Sequence, residues 1–354
     1  MIKTIGIVSL SRGILGEDFL HHELDLGLAR LKEFGVRVKF LPHALDGLES
    51  LAAHPEHRAQ DFLDAFRDPE IDAILCAIGG DDTYRLAPYL FSNDELKNAV
   101  TKKPFLGFSD TTLNHFMLHK VGLPTFYGQA FLPDMCELAP EMLPYTKRYF
   151  EEFLKTGTIR EVRPSELWYT SRTDFSPEAL GTELPAHKNT GFELLQGPAQ
   201  FEGEILGGCI DSMYEMFSGW RYGDMPEVCR NYGLFPSMDD WRGKILLMES
   251  RDVFLQNEDG TPSTQLKKRI YDLKCSLHGG IIPVSVPPEV SLREFPYNAV
   301  VELVNPVADT VSRKTYTGAD VDWYVKAEDI VLKNKGNQNA GNPQNSTPQG
   351  QPKK

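Results

Sequence analysis

No apolar run in the sequence is long enough to cross a bilayer, which excludes a membrane-spanning helix as an expectation. The opening stretch, Met1-Ile2-Lys3-Thr4-Ile5-Gly6-Ile7-Val8, runs straight into a strand pattern. It lacks the apolar core and small-residue cleavage site of a signal peptide. Positive charge is scarce: 37 Lys and Arg stand against 50 Asp and Glu, a net charge of -13. That balance argues against nucleic acid or an anionic membrane surface as partner, since both need basic patches. Cysteine is sparse and scattered. Cys76, Cys136, Cys209, Cys229 and Cys275 are odd in number and never form a Cys-x-x-Cys pair. They read as free thiols in a reducing compartment, so a cytoplasmic place is expected, with no metal and no cofactor.

What is present is an ordinary globular composition, 41% apolar and 25% charged over 354 residues, enough for two domains. The first 135 residues alternate strand and helix. Strands are expected at Thr4 to Leu10, Val36 to Leu41, Ile71 to Ile78, around Phe105, and at Thr125 to Tyr127. Helices are expected at Phe19 to Phe34, where Leu20, Leu24, Leu28 and Leu31 share a stripe, then near Arg58 to Phe66 and Tyr84 to Leu90. Ile71 to Ile78 is almost wholly apolar, the mark of a sheet covered on both faces. Repeated strand-helix-strand units specify an α/β fold with a doubly wound, mainly parallel sheet. Functional sites in such sheets lie beyond the carboxyl ends of the strands.

A different texture follows. Residues 136–200 read as a helix, Glu141 to Lys155, and a crossing linker rich in prolines and isolated aromatics. Residues 201–332 read as a smaller mixed α/β domain. Its expected parts are a strand at Phe201 to Ile205, a turn at Gly207-Gly208 and a helix from Asp211. A buried strand closing on Glu249, a helix at Thr264 to Leu273 and a strand at Ile281 to Val286 complete it. Residues 333–354 hold Asn, Gln, Gly, Pro and Lys with little else, and are expected to be disordered.

Gly107-Phe108-Ser109-Asp110 is the most informative motif. A serine between a short strand and a helix sits on a sharp turn, hydroxyl exposed, with the N–H groups of the helix start beside it. That is the layout of a nucleophile elbow, although Thr111 replaces the usual second glycine. The alternative is that Ser-Asp merely caps the helix.

Ile78-Gly79-Gly80-Asp81-Asp82-Thr83, Leu106 to Thr112, Leu206-Gly207-Gly208-Cys209 and Leu246-Leu247-Met248-Glu249 stand in the order and approximate spacing of one family. From Ile2 to Glu249 the chain resembles the LD-carboxypeptidases and microcin C immunity peptidases, serine hydrolases with a Ser-Glu-His triad. The resemblance implies a flavodoxin-like N-terminal domain, a smaller C-terminal domain, a site between them, and a homodimer. It implies Ser109 as nucleophile, Glu249 as the acid orienting a histidine, and the N–H groups of Gly80 and Asp110 as oxyanion donors. Trp168 corresponds to a linker tryptophan that stacks on a nucleobase, or else packs an interface. The implied partner is a small ligand, an LD-linked murein peptide or an aminoacyl-nucleotide.

The histidine departs from the pattern. The family places it in a Gly-His turn just after a strand, before a Pro-aromatic strand. Here Ile281 to Val286 and Phe295-Pro296-Tyr297-Asn298 enclose Pro287-Pro288-Glu289-Val290, with no histidine. His278 precedes the strand, and six residues at ~3.3 Å each set its two ends roughly 20 Å apart. His115 and His119 lie on the helix leading away from Ser109, and His187 lies in the linker. A binding protein that keeps the cleft without cutting its ligand is therefore a second reading. A third takes Gly79 to Thr83 as the phosphate loop of NAD and lipid kinases, against which Asp82 would crowd and repel a phosphate.

Overall fold

The computed structural model describes residues 1–219, 221–249, 269–274, 281–287, 289–290, 300–315 and 318–333. The chain divides into two compact units, Met1–Asp252 and Val253–Lys354.

In the first unit, β1 (Thr4–Val8), α1 (His21–Glu33), β2 (Arg37–Phe40), α2 (Leu48–Ala53), α3 (Pro55–Arg67) and β3 (Ala73–Cys76) alternate along the chain. They continue as α4 (Ala87–Phe91), α5 (Glu95–Ala99), β4 (Phe105–Gly107), α6 (Thr112–Lys120) and β5 (Phe126–Tyr127). The five strands form one parallel sheet in the order β2-β1-β3-β4-β5. Successive side chains in a strand face opposite ways, so each strand feeds two cores. Val8, Ile74, Cys76 and Phe105 pack with Phe62 and Phe66 of α3 and Phe116 of α6. Ile5, Ile7, Ala73 and Leu75 pack with Leu31 of α1 on the other face. That second core is closed by Phe150 and Phe153 of α7 (Pro144–Thr156). Both faces are covered, as the apolar β3 required.

The chain from 158 to 198 is more ordered than a bare linker. It contains an antiparallel hairpin of β6 (Leu167–Tyr169) and β7 (Ala186–Lys188). Beyond it come β8 (Ile205–Cys209), α8 (Ile210–Ser218), α9 (Met225–Asn231), α10 (Met238–Trp241) and β9 (Ile245–Glu249). The expected strand at Phe201 to Ile205 thus begins where it was expected to end.

Gly207 and Gly208 are strand residues, not a turn. Their φ values of 134° and 154° and the lack of a Cβ let β8 lie against its neighbours. A Cβ on Gly208 would stand 2.5 Å from Thr112 Oγ1, and one on Gly207 2.0 Å from the Leu247 carbonyl oxygen. Residues 205–241 also pack into the first core, through Leu206, Met213, Met216, Met225 and Cys229. For that reason the division between units falls after Asp252, well beyond the border expected near residue 200. β8 and β9 pair in parallel as a two-stranded sheet separate from the five-stranded one. β9 is not the buried strand expected: Leu246 and Met248 are exposed on one face.

The described part of the second unit consists of strands. β10 (Arg269–Lys274) pairs antiparallel with β11 (Ile281–Val286), replacing the helix expected through Leu273. Arg-Ile-Tyr-Asp-Leu-Lys carries β-branched and aromatic residues, and all six pair with β11, with β10 at the edge of the sheet. β12 (Val301–Val304) pairs with β15 (Asp329–Leu332), and β13 (Val307–Thr315) forms a long hairpin with β14 (Gly318–Lys326), which runs parallel to β11. Val284, Val286, Ala327 and Ile330 are its buried centre. The expected disordered tail beyond Lys333 and the Phe295 to Asn298 landmark lie outside the described residues.

Candidate active site

Ser109 follows Phe108, whose backbone is extended (φ -154°), and itself adopts φ 62°. A non-glycine residue in the left-handed region costs about 1–3 kcal/mol and persists only where the surroundings hold it. Here they do. The Thr111 hydroxyl donates to Phe108 O at 2.9 Å, and the Thr112 hydroxyl donates to Ser109 O at 2.6 Å. The Ser109 N–H donates to Tyr127 Oη at 3.0 Å. An ordinary helix cap would show neither the positive φ nor this bracing.

Tyr127 was missed by sequence reasoning, and it joins the two residues singled out as nucleophile and acid. Its hydroxyl accepts the Ser109 N–H and donates to Glu249 Oε2 at 2.7 Å. Burial first, then the Glu249 carboxylate, pushes the Tyr127 phenol well above its usual range, so it stays a donor and is no base. The signal available in sequence was position. Tyr127 ends the strand adjacent to β4 and is the register partner of Gly107, two residues before Ser109. Glu249 reaches the same spot because β9 pairs with β8, Cys209 facing Glu249, while the Cys209 N–H donates to Thr112 Oγ1 at 3.0 Å.

The loop after β3 comes equally close. A Cβ on Gly79 would stand 2.8 Å from Ser109 Cβ, 3.0 Å from Ser109 Oγ and 3.3 Å from the Asp110 nitrogen. Only glycine fits there. On Gly80 a Cβ would meet Ser11 Oγ at 2.2 Å. The Asp110 side chain, almost fully buried, accepts from Ser11 Oγ at 2.6 Å and from the Thr83 N–H at 3.0 Å. It thereby ties together the loops after β1, β3 and β4. Burial pushes its carboxyl up to about 6, against the pull of those two donors.

Asp82 is turned inward. The fully buried Arg58 guanidinium grips it at 2.6 and 3.2 Å and also donates to the carbonyls of Leu10 and Ser11. A loop whose second aspartate is locked to a buried arginine does not have the open geometry of a phosphate cradle, and the kinase reading loses its basis.

Among the described residues no histidine is hydrogen-bonded to Ser109 or Glu249. His115 is buried between Gly107 O, at 3.0 Å, and Thr125 Oγ1, at 2.7 Å, and burial pulls its pKa down to about 4. Neutral and doubly engaged, it braces β4. His119 faces Asp240 at the surface. His187 shares a hydrogen bond with Thr170 Oγ1 at 2.9 Å and stacks on Trp168, ring centroids 4.1 Å apart. Trp168 and His187 are cross-strand partners in the β6–β7 hairpin. His278 lies outside the described residues.

Fold and site together define a doubly wound α/β protein with a strained serine at the carboxyl end of its sheet. The chain belongs to the LD-carboxypeptidase family: the model described as LD-carboxypeptidase N-terminal domain matches residues 5–128. A second model, described as a bacterial protein of unknown function (DUF961), matches residues 233–331. Among solved structures, an MccF-like protein from Streptococcus pneumoniae in complex with AMP is 62% identical. The match covers 71% of this chain and 73% of that one, with a TM-score of 0.70. The microcin C7 self-immunity protein MccF of Escherichia coli is 29% identical over 55% of this chain and 54% of its own. A probable murein peptide carboxypeptidase of Bacillus subtilis (strain 168) is 29% identical over 65% of this chain and 58% of its own. The chain therefore spans little more than half the length of these curated relatives.

Proposed function

We propose that the chain binds an aminoacyl-nucleotide at the Ser109 site and cleaves its amide bond slowly. Ser109 is the nucleophile and Glu249 the acid, and the N–H groups of Gly80 and Asp110 receive the oxyanion. The left-handed Ser109, braced by Thr112 and Tyr127, carries this reading. A helix cap gains nothing from such strain, whereas a nucleophile gains an exposed hydroxyl beside helix-start N–H groups. The choice of a nucleotide over a murein peptide is supported by the 62% identical relative, solved with AMP. A base would stack on Trp168, of whose two ring faces His187 covers one.

Slow turnover is expected because the sequence places no histidine between Val286 and Phe295, and among the described residues no imidazole is bonded to Ser109 or Glu249. A serine hydroxyl needs a base to remove its proton. Here the carboxylate that would orient such a base accepts from Tyr127 instead. Loss of a triad member removes several orders of magnitude of rate while binding and oxyanion stabilisation remain.

The test is hydrolysis of an aminoacyl sulfamoyl adenosine and of an LD-tetrapeptide by wild type, Ser109→Ala, His187→Ala and His278→Ala. Slow release of the amino acid from the nucleoside substrate, lost in Ser109→Ala, is the expected result. Fast turnover abolished by one histidine change would sink the claim of an absent base and name the residue.

One observation favours a second reading, a binding protein without turnover. The DUF961 model matches 233–331, across the stretch where the family resemblance implies the Gly-His turn. A fluorophosphonate probe, which labels only an activated serine, separates the two. A homodimer in the cytoplasm accompanies the proposal. Sedimentation velocity tests the dimer, and among the described residues no helix is long and apolar enough to cross a membrane.

A further inference from the structure

Away from Ser109, the loop after β2 and the first turn of α3 bring three imidazoles and several carboxylates together. The ligand atoms of His43, Asp46 and His57 all lie within 4.8 Å of one another, and so do those of His54, Glu56 and His57. The rings of His43 and His57 lie 4.2 Å apart, centroid to centroid, and those of His54 and His57 4.7 Å. We infer that His43, Asp46 and His57 form a binding site for a divalent transition-metal ion of the zinc class.

Geometry selects this trio over the other. Two ligands at about 2.0–2.1 Å on a tetrahedral ion stand roughly 3.4 Å apart. His43 Nδ1 and Asp46 Oδ2 are 3.8 Å apart, too far for a hydrogen bond and close to the edge an ion would span. His54 Nδ1 and Glu56 Oε1, at 2.9 Å, already satisfy each other.

The loop that presents the ligands is built, not loose. Its turns close through Ala44 N–H to Leu41 O and Asp46 N–H to His43 O, and the Ser9 hydroxyl holds Ala44 O at 2.8 Å. The His43 N–H donates to Asp61 Oδ2 at 2.9 Å.

Two buried polar atoms in this cluster have no hydrogen-bond partner, His57 Nδ1 and Asp61 Oδ1. They sit at i and i+4 on α3, hence on one face of the helix. Leaving such buried atoms unpaired is destabilising. An ion on the His57 ring, with an ion-bound water on Asp61, removes that cost. Two imidazoles and one carboxylate suit zinc, nickel or cobalt and are poor for magnesium or calcium, which take oxygen ligands. Arg58, next to His57, holds Leu10 O, Ser11 O and Asp82.

The test titrates Zn²⁺ alone into the chelator-stripped full chain by calorimetry at about pH 7.5. One ion per chain is expected, weakened about ten- to a hundredfold in His43→Gln, His57→Gln and Asp46→Asn. His119→Gln and His187→Gln should bind as wild type does. Asp46 is exposed, so its variant folds, and its melting temperature without metal should be unchanged. Absence of binding overturns the site, as does affinity that survives all three changes, or loss in His54→Gln with retention in His43→Gln. Co²⁺ gives a second readout: a nitrogen–oxygen d–d spectrum is expected, and a thiolate charge-transfer band would refute the ligand set.

Discussion

Tyr127→Phe is the sharpest probe of how the site is held together, because a single oxygen atom is removed. That oxygen accepts the Ser109 N–H at 3.0 Å and donates to Glu249 at 2.7 Å. A net neutral hydrogen bond contributes about 0.5–1.5 kcal/mol and one to a charged group about 1.5–3 kcal/mol. Together they come to about 3 kcal/mol, since the Ser109 N–H is left in a half-buried pocket without a partner. In a unit of about 250 residues each kcal/mol moves the melting temperature by about 2–4 °C, so a fall of about 6–12 °C is expected by calorimetry. Glu249→Ala removes only the second, charge-assisted bond and should cost about 2 kcal/mol, the larger share. The double variant should fall short of the sum by about 1 kcal/mol or more, because both changes delete the same bond. A Tyr127→Phe protein melting within about 1–2 °C of wild type, or strictly additive variants, would refute the bridge.

Three further outcomes follow from buried groups and strain. Arg58→Met leaves Asp82 and two carbonyls without their donor in a buried place, so a loss of about 3–5 kcal/mol is expected in urea melts. Ser109→Gly relieves the positive φ and should be about 1 kcal/mol more stable than Ser109→Ala, which keeps it; equal stabilities would deny the strain. Glu23 is buried with Oε1 unpartnered, and burial, helped by Glu137, raises its pKa from 4.5 to about 7. The folded form therefore holds a proton that the unfolded form releases, and stability falls as pH rises from about 4.5 through 7. Glu23→Gln should flatten that part of the urea midpoint against pH, by about 2 kcal/mol between pH 5 and 8; an unchanged profile would place the titration elsewhere.

The parallel sheet was legible because its signals are local and repeated. Apolar runs such as Ile71 to Ile78 and the stripe on α1 fix element type without knowledge of neighbours. The elbow was legible for the same reason, a serine squeezed between a strand and a helix. Tyr127 was not, because its role comes from lateral pairing of β5 with β4, which a linear pattern does not encode. Gly207-Gly208 misled, since a glycine pair that signals a turn in isolation here serves close approach to Thr112 and Leu247. The border near residue 200 misled because a polar linker resembles a domain boundary, whereas Met213 and Met216 of α8 return to the first core. The His43–His57 cluster escaped notice because its ligands come from two elements that meet only when β2 and α3 pack.

Ser109 is proposed to lie at a nucleotide-ligand site, and among the described residues no imidazole is bonded to it or to Glu249. Aspartyl sulfamoyl adenosine, incubated with wild type and with Ser109→Ala, tests it when binding is followed by calorimetry and aspartate release by mass spectrometry. The account predicts a complex with both proteins and slow release from wild type alone. Release by Ser109→Ala at the wild-type rate, or no complex with either protein, would contradict it.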